Sequence, residues 1–143
     1  MPADRDRTVQ TWLERWADEP NAYLTTTGRR TGRPHRIEIW FAVDAGRIYL
    51  LSGGRDRSDW VRNLQANPHV LFELGGEQHA GTARVLREGT PEDRRARQLL
   101  VSKYGAGQDL EAWGRTSLGI EIEILSNEEP TPAEEHRRQR DEG

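Results

Sequence analysis

The sequence predicts a mainly β fold with helices (α+β), organised around an antiparallel, barrel-like sheet. Three observations carry that expectation. Short runs alternate apolar and polar residues, most clearly HRIEIWFAV at 35–43 and LGIEIEIL at 118–125. Turn signals separate such runs at close intervals, among them DAG at 44–46 and GGE at 75–77. Strand mostly follows strand without a helical crossover, which favours hairpins closing on one another over a parallel, doubly wound sheet.

Each element follows from local chemistry. Val9, Trp12, Leu13 and Trp16 share one helical face, and Pro20 ends that helix. AYLTTT at 22–27 reads as a strand, and 35–43 as the next. RIYLLS at 47–52 pairs back across the DAG turn, and GGRDR at 53–57 breaks the sheet. Ser58 or Asp59 can cap a short helix, WVRNLQAN, which Asn67-Pro68 stops. HVLFEL (69–74) and QHAGTARVLRE (78–88) form a second hairpin. Thr90-Pro91-Glu92-Asp93 is a strong helix start, with a hydroxyl cap, proline in the first turn and acids at the positive end. That helix should reach about Tyr104 and end at Gly105. With the strand at 118–125 the count is about six strands.

Composition bounds the rest. The chain has 143 residues, enough for one domain with a real core. Residues 1–125 are expected to form that domain, and 126–143 a charged, disordered tail. The tail holds six acids and three arginines, which equals the whole net charge of −3 and leaves residues 1–125 balanced. A balanced core argues against nucleic acid as a partner. There is no cysteine, hence no disulfide or thiolate nucleophile, and the four histidines are scattered, so no metal site is expected. No apolar run approaches a membrane span and the first residues lack the apolar segment of a signal peptide, so a cytoplasmic location is expected.

One loop asks for explanation. TTTGRRTGRP at 25–34 joins two strands, yet it carries Arg29, Arg30 and Arg33 around Gly28, Thr31, Gly32 and Pro34, with His35 next. No carboxylate occurs from Gly28 to Ile37. Crowded like charges repel, and a plain turn needs only a residue tolerant of positive φ. Guanidinium forks on flexible backbone suit a phosphate or carboxylate. The bland reading is a solvated turn whose arginines meet surface acids. The G-x-x-x-x-G-K-[ST] phosphate loop is absent.

A second cluster spans SGGRDRSDWVRNLQANP at 52–68. Gly53 and Gly54 end a strand, where missing side chains let a flat ligand approach the backbone. Trp60 can stack on a ligand or anchor its helix, and anchoring is the commoner role. The glutamates of the strands, Glu38, Glu73, Glu121 and Glu123, read as outward-facing by alternation. Anion grips and aromatic surfaces without acid, base or nucleophile describe an enzyme whose cofactor carries the chemistry.

YLTTTGRRTGRPHRIEIWF, RIYLLSGG and SDWVRNLQANPHV together resemble the deazaflavin-dependent nitroreductase family, split β-barrel oxidoreductases related to pyridoxamine-phosphate-oxidase-like flavin proteins. The likeness runs from about Tyr23 to Ile124 and includes a WGR before the last strand. It implies a split β-barrel and coenzyme F420, a deazaflavin with a phosphate and a glutamate tail. It further implies hydride transfer to a small electron-poor acceptor: an enone, a quinone or a nitro compound. By position it gives Arg29, Arg30, Thr31 and His35 the phosphate and acidic tail of the cofactor, and counts Gly32, Arg33 and Pro34 of the same loop as cofactor-binding. Ile39, Trp40, Leu51 and Ser52 would flank the ring, Gly53 and Gly54 would give it room, and Trp60 and Asn63 would close the pocket.

Three departures stand beside that likeness. Arg30 and His35 replace a usual lysine and arginine, and the Gly53–Ser58 segment is short and lacks a lysine. Gly107 and Leu110 stand in a lid stretch where nitroimidazole-reducing members carry tyrosines, so the acceptor is left open. Ser52, Tyr104 or solvent could supply the proton. FMN on the same barrel is the alternative cofactor, and a non-catalytic binding module the alternative function. Split barrels often pair as homodimers, and the tryptophan face of the first helix could serve that contact or the core.

Overall fold

The computed structural model describes residues 2–105, 109–125 and 131–132. The elements are α1 (Pro2–Arg15), β1 (Ala22–Thr27), β2 (Pro34–Ile39), β3 (Ala42–Asp44) and β4 (Arg47–Ser52). They continue with α2 (Asp59–Ala66), β5 (His69–Leu74), β6 (Glu77–Val85), α3 (Pro91–Tyr104), α4 (Glu111–Thr116), β7 (Leu118–Ile124) and β8 (Thr131–Pro132).

All strand pairs are antiparallel and the sheet order is β2-β1-β5-β6-β7-β4-β3, with β8 added on β6. The two ends of that order, β2 and β3, are separated in the chain only by Trp40 and Phe41. One bent segment therefore supplies both ends, and the sheet curls until they meet: a split β-barrel. The sequence reads 35–43 as a single strand because its apolar alternation never falters. The structure breaks it, because a ladder shared between two sheet ends cannot stay straight. The Phe41 N–H leaves the ladder and donates instead to the Tyr104 hydroxyl at 3.1 Å.

Curling also demands close approach at β6, whose Gly81 is in register with Val70 on one side and Ile124 on the other. A Cβ there would lie 2.9 Å from Ile122 Cγ2 and 3.0 Å from the Glu123 carbonyl. Only glycine fits.

The barrel interior is filled by Leu24, Phe41, Ile48, Leu50, Phe72, Ile120 and Ile122, all fully buried. Val61 and Leu64 of α2 complete it from one side. From α1, Trp12 donates its indole N–H to the Leu74 carbonyl at 2.9 Å and packs on His79, ring centroids 3.9 Å apart. Trp16 lies against Gly75, whose positive φ of 62° turns the β5–β6 hairpin. The two-tryptophan face is thus spent within the chain. A second apolar cluster, Ala42, Tyr49, Leu51, Leu86, Ala96 and Leu100, joins α3 to the outer face of β3 and β4.

The glutamates do face out of the barrel, yet Glu73 and Glu121 are buried. Glu121 is held by Arg47 at 2.6 Å and Arg84 at 2.8 Å, Glu73 by Arg36 at 3.1 Å. Long arginines fold over the strands and cover them.

Thr90 caps α3, accepting from the Asp93 N–H at 3.3 Å. Helix α4 has no apolar period to announce it; its local signal is Asp109, whose side chain accepts from the Glu111 N–H at 3.0 Å. In β8, Thr131 and Pro132 pair with Gln78 and Glu77; the remainder of 126–143 and Gly107 lie outside the described residues. Among the described residues no helix is long and apolar enough to cross a membrane, and no group of three side chains could hold a metal ion.

Candidate functional site

The arginine loop is a built structure. The Gly28 N–H donates to the Arg33 carbonyl at 2.7 Å and the Gly32 N–H to the Gly28 carbonyl at 2.8 Å. Gly32 has φ 73°, which closes the turn where a β-carbon would strain it. The Thr31 hydroxyl accepts from the Arg33 N–H at 3.1 Å. His35 lies over Gly28, where an added Cβ would come 2.9 Å from its ring.

Helix α2 fixes this loop in place. Asn63, buried at 2% exposure, accepts from the Arg29 N–H at 3.2 Å and from Arg29 Nη1 at 2.9 Å. Its own amide donates to the Thr26 hydroxyl at 3.2 Å. Arg29 also reaches Asp59 at 3.3 Å. The guanidinium of Arg29 is therefore consumed by the scaffold. The side chains of Arg30, Arg33 and His35 are exposed and have no hydrogen-bond or ion-pair partner among the described residues. Arg36 points elsewhere: it forks onto Glu73 at 3.1 and 3.2 Å and stacks on Tyr23 at 3.8 Å. A net of three arginines becomes one strut and two free cations.

The other end of β2, about 20 Å away for six residues in extended conformation, is aromatic. Trp40 stacks on Tyr104, centroids 4.3 Å apart and 2° from parallel. Trp113 meets Trp40 edge-on at 5.5 Å and 82°. Trp113 also faces Gly53, where an added Cβ would lie 3.4 Å from Cδ1. Gly53 and Gly54 are exposed, so a flat group can lie on their backbone. The buried Ser117 hydroxyl, 4.0 Å from the same Cβ position, has no hydrogen-bond partner among the described residues. Trp113 and Ser117 were not singled out by their sequence context; only the WGR triplet hinted at the first.

Other expected residues divide. Ile39 packs toward the barrel core and Leu51 into the cluster under α3, leaving only their backbone for a ligand. Trp60 is half-buried against the barrel core. Leu110 precedes α4 as its cap residue. Pro34, Gly32, Thr25 and Thr27 line a cleft of about 390 Å³ with His69, Leu71 and Ala80.

Both candidate proton donors are engaged. Ser52 Oγ lies 3.0 Å from the Arg55 carbonyl and 3.0 Å from Ser58 Oγ. The Tyr104 hydroxyl accepts from Phe41 N–H and donates toward the Pro20 carbonyl at 2.9 Å; burial raises its pKa above the usual range. Lys103, the single lysine of the chain, donates to the carbonyls of Ala17 at 2.8 Å and Phe41 at 3.0 Å, 3.6 Å above the Phe41 ring. Burial lowers its pKa to about 8, against the nearby charges of Asp18 and Glu19, which raise it.

Residues 3–125 match the family described as F420H(2)-dependent quinone reductase. An F420H(2)-dependent quinone reductase of Mycobacterium tuberculosis is 32% identical over 111 residues, 75% of this chain and 73% of that protein. Among solved structures, an F420-H2 dependent reductase superposes with a TM-score of 0.60 at 24% identity, covering 73% of this chain and 95% of the other. A Listeria innocua protein named for pyridoxamine 5′-phosphate oxidase superposes with a TM-score of 0.63 at 18% identity, covering 90% and 97%. The fold is common to both.

Proposed function

Because the chain belongs to the F420H(2)-dependent quinone reductase family, we propose that its two exposed clusters are the two ends of one deazaflavin site. The protein is an F420H2-dependent oxidoreductase, and quinone fits as its acceptor class, narrower than the enone, quinone or nitro compound that motif resemblance leaves open. The assignment of residues is ours. Arg30, Arg33 and His35 hold the phosphate and acidic tail; Gly53 and Gly54 receive the ring; Trp40, Tyr104 and Trp113 wall the acceptor's side of it.

The residues fit the group on an observation independent of kinship. Two guanidinium groups on this hydrogen-bonded loop have no ion-pair partner among the described residues. A phosphate followed by an acidic tail offers anionic partners to both.

When bound, the reduced deazaflavin supplies a hydride from C5 to the acceptor. The chain's own part is orientation and exclusion of water. The aromatic wall would hold a flat acceptor beside the ring seated on the glycine backbone, and the loop anchors the far end so that ring placement is reproducible. With the Ser52 and Tyr104 hydroxyls bonded to backbone carbonyls, water is the favoured source of the product's proton. A cytoplasmic location belongs to the same proposal.

Titrating the purified chain with F420 and, separately, with FMN tests the reading. Tighter binding of F420 by at least about tenfold, weakened by salt, is expected. Equal or tighter FMN binding would overturn the site assignment.

A further inference from the structure

Among the described residues, only Ala45 and Arg55 combine a side chain with positive φ. Ala45 sits in a hairpin turn beside Gly46, where that conformation is ordinary. Arg55, at φ 55°, sits in the elbow after β4, next to Gly53 and Gly54. Such a conformation costs free energy and persists where surrounding contacts over-determine it.

Those contacts run in one direction. Arg55 Nη1 donates to the Thr116 carbonyl at 2.7 Å and the Ser117 carbonyl at 3.3 Å. Its Nη2 pairs with Glu88. Its own carbonyl accepts from the Ser52 hydroxyl at 3.0 Å. Thr116 and Ser117 close α4, and the Ser117 N–H returns to the Trp113 carbonyl at 3.1 Å. A cation at the carbonyl end of a helix is favourably placed. One guanidinium therefore joins the glycine elbow to the short helix that carries Trp113, and Trp113 stands directly across from Gly53.

We propose that Arg55 is a positioning residue for the quinone-side wall: it locks α4 to the elbow and so holds Trp113 at a set distance above the Gly53 backbone. This rests on the reading of Gly53 and Gly54 as the seat of the cofactor ring. The left-handed backbone at Arg55 aims the side chain across the gap toward α4. Arg97 also donates to the Gly114 carbonyl at 2.9 Å, so removing the Arg55 guanidinium leaves α4 attached to α3 but untied from the elbow; the indole shifts relative to Gly53, and the acceptor's wall is displaced while the cofactor keeps its anchor at the distant arginine loop.

Arg55→Gly isolates the side chain, because glycine adopts the same φ without strain. Arg55→Lys keeps the charge, but one ammonium cannot reproduce the planar fork that holds the α4 carbonyls through Nη1 and Glu88 through Nη2 at once. Each variant, and the wild type, is labelled with 5-fluorotryptophan and examined ligand-free by fluorine NMR, with Trp113→Phe assigning the Trp113 resonance. Arg55→Gly should shift or broaden that resonance and leave those of Trp12 and Trp16 in place; Arg55→Lys should fall between. With reduced F420 and a soluble benzoquinone, the acceptor KM should rise about tenfold in Arg55→Gly, with the F420 dissociation constant changed by less than about threefold. An unmoved Trp113 resonance in both variants would refute the lock. A moved resonance with unchanged acceptor KM would refute the positioning role. Failure of the wild type to bind F420 would instead sink the site reading, a result the ligand-free spectra distinguish.

Discussion

Asn63 of α2 binds Arg29 of the β1–β2 loop twice through one oxygen, at 3.2 Å to the backbone N–H and 2.9 Å to Nη1. The contact crosses 34 residues of sequence and joins two motifs that are separate in the chain. It explains why a loop of like charges can be ordered before any anion arrives. Its oxygen fixes the direction of Arg29, and the Asp59 carboxylate offsets its charge.

Asn63→Ala should therefore loosen the loop and destabilise the fold together. It strands the Arg29 N–H and removes the donor to Thr26, a loss on the order of 1–3 kcal/mol for buried hydrogen-bonding groups. Urea unfolding should show the lower stability, and an F420 titration a weaker affinity. Unchanged affinity in the folded variant would mean that the loop orders without α2.

Arg30 and Arg36 should separate binding from stability. Arg30 is exposed and has no partner among the described residues, so Arg30→Ala should raise the F420 dissociation constant by roughly 10- to 100-fold with little change in melting temperature. Arg36 forks onto buried Glu73, so Arg36→Ala should cost about 2 kcal/mol of stability and leave affinity alone. Equal effects on affinity would point to a diffuse positive field with no defined grip.

Lys103 sets a pH dependence with a definite sign. Its pKa is about 8 when folded, below the ordinary lysine value, so between those values the unfolded chain binds more protons. Stability should consequently rise as pH climbs from about 8 toward 10, as the cost of the buried charge is relieved. Above about 10 the trend should reverse, because burial holds the Tyr49 and Tyr104 phenols protonated when the unfolded phenols ionise. Thermal melts of wild type and Lys103→Met across this range should differ: the variant should lack the rise. A rise of the same size in Lys103→Met would assign it to another group.

Glu121 is buried between Arg47 and Arg84 on the barrel's outer face. Glu121→Ala removes the buried link between two half-exposed arginines, which keep Glu123 and Glu92 as partners, and should destabilise by about 1 kcal/mol. F420 affinity should be unaffected in the folded protein, since the network lies beside α3, away from the loop. A change in affinity without loss of stability would place Glu121 in the site.

Trp60 has two readings that one variant resolves. Its packing against the barrel core predicts that Trp60→Ala lowers the melting temperature. Weakened F420 binding at a temperature where the variant is folded would give it a pocket role as well.

Local chemistry by itself determined most of the elements here. The alternation in β7, the apolar runs of β4 and β5, the Gly75-Gly76 turn and the Thr90-Pro91 cap act over a few residues, so they are legible without partners. The clustering of Arg29, Arg30 and Arg33 was legible too, since like charges without nearby carboxylates need no fold to be conspicuous. Tertiary structure alone decided which of those arginines is free. That depends on Asn63 and Glu73, reached across the fold and invisible to spacing. It also broke the 35–43 run at Trp40, because barrel closure is a global constraint that no alternation encodes. Trp113 and Arg55 became meaningful for the same reason. Their partners, Gly53 and the Thr116 carbonyl, lie about 60 residues away in the chain, and only packing brings them within reach.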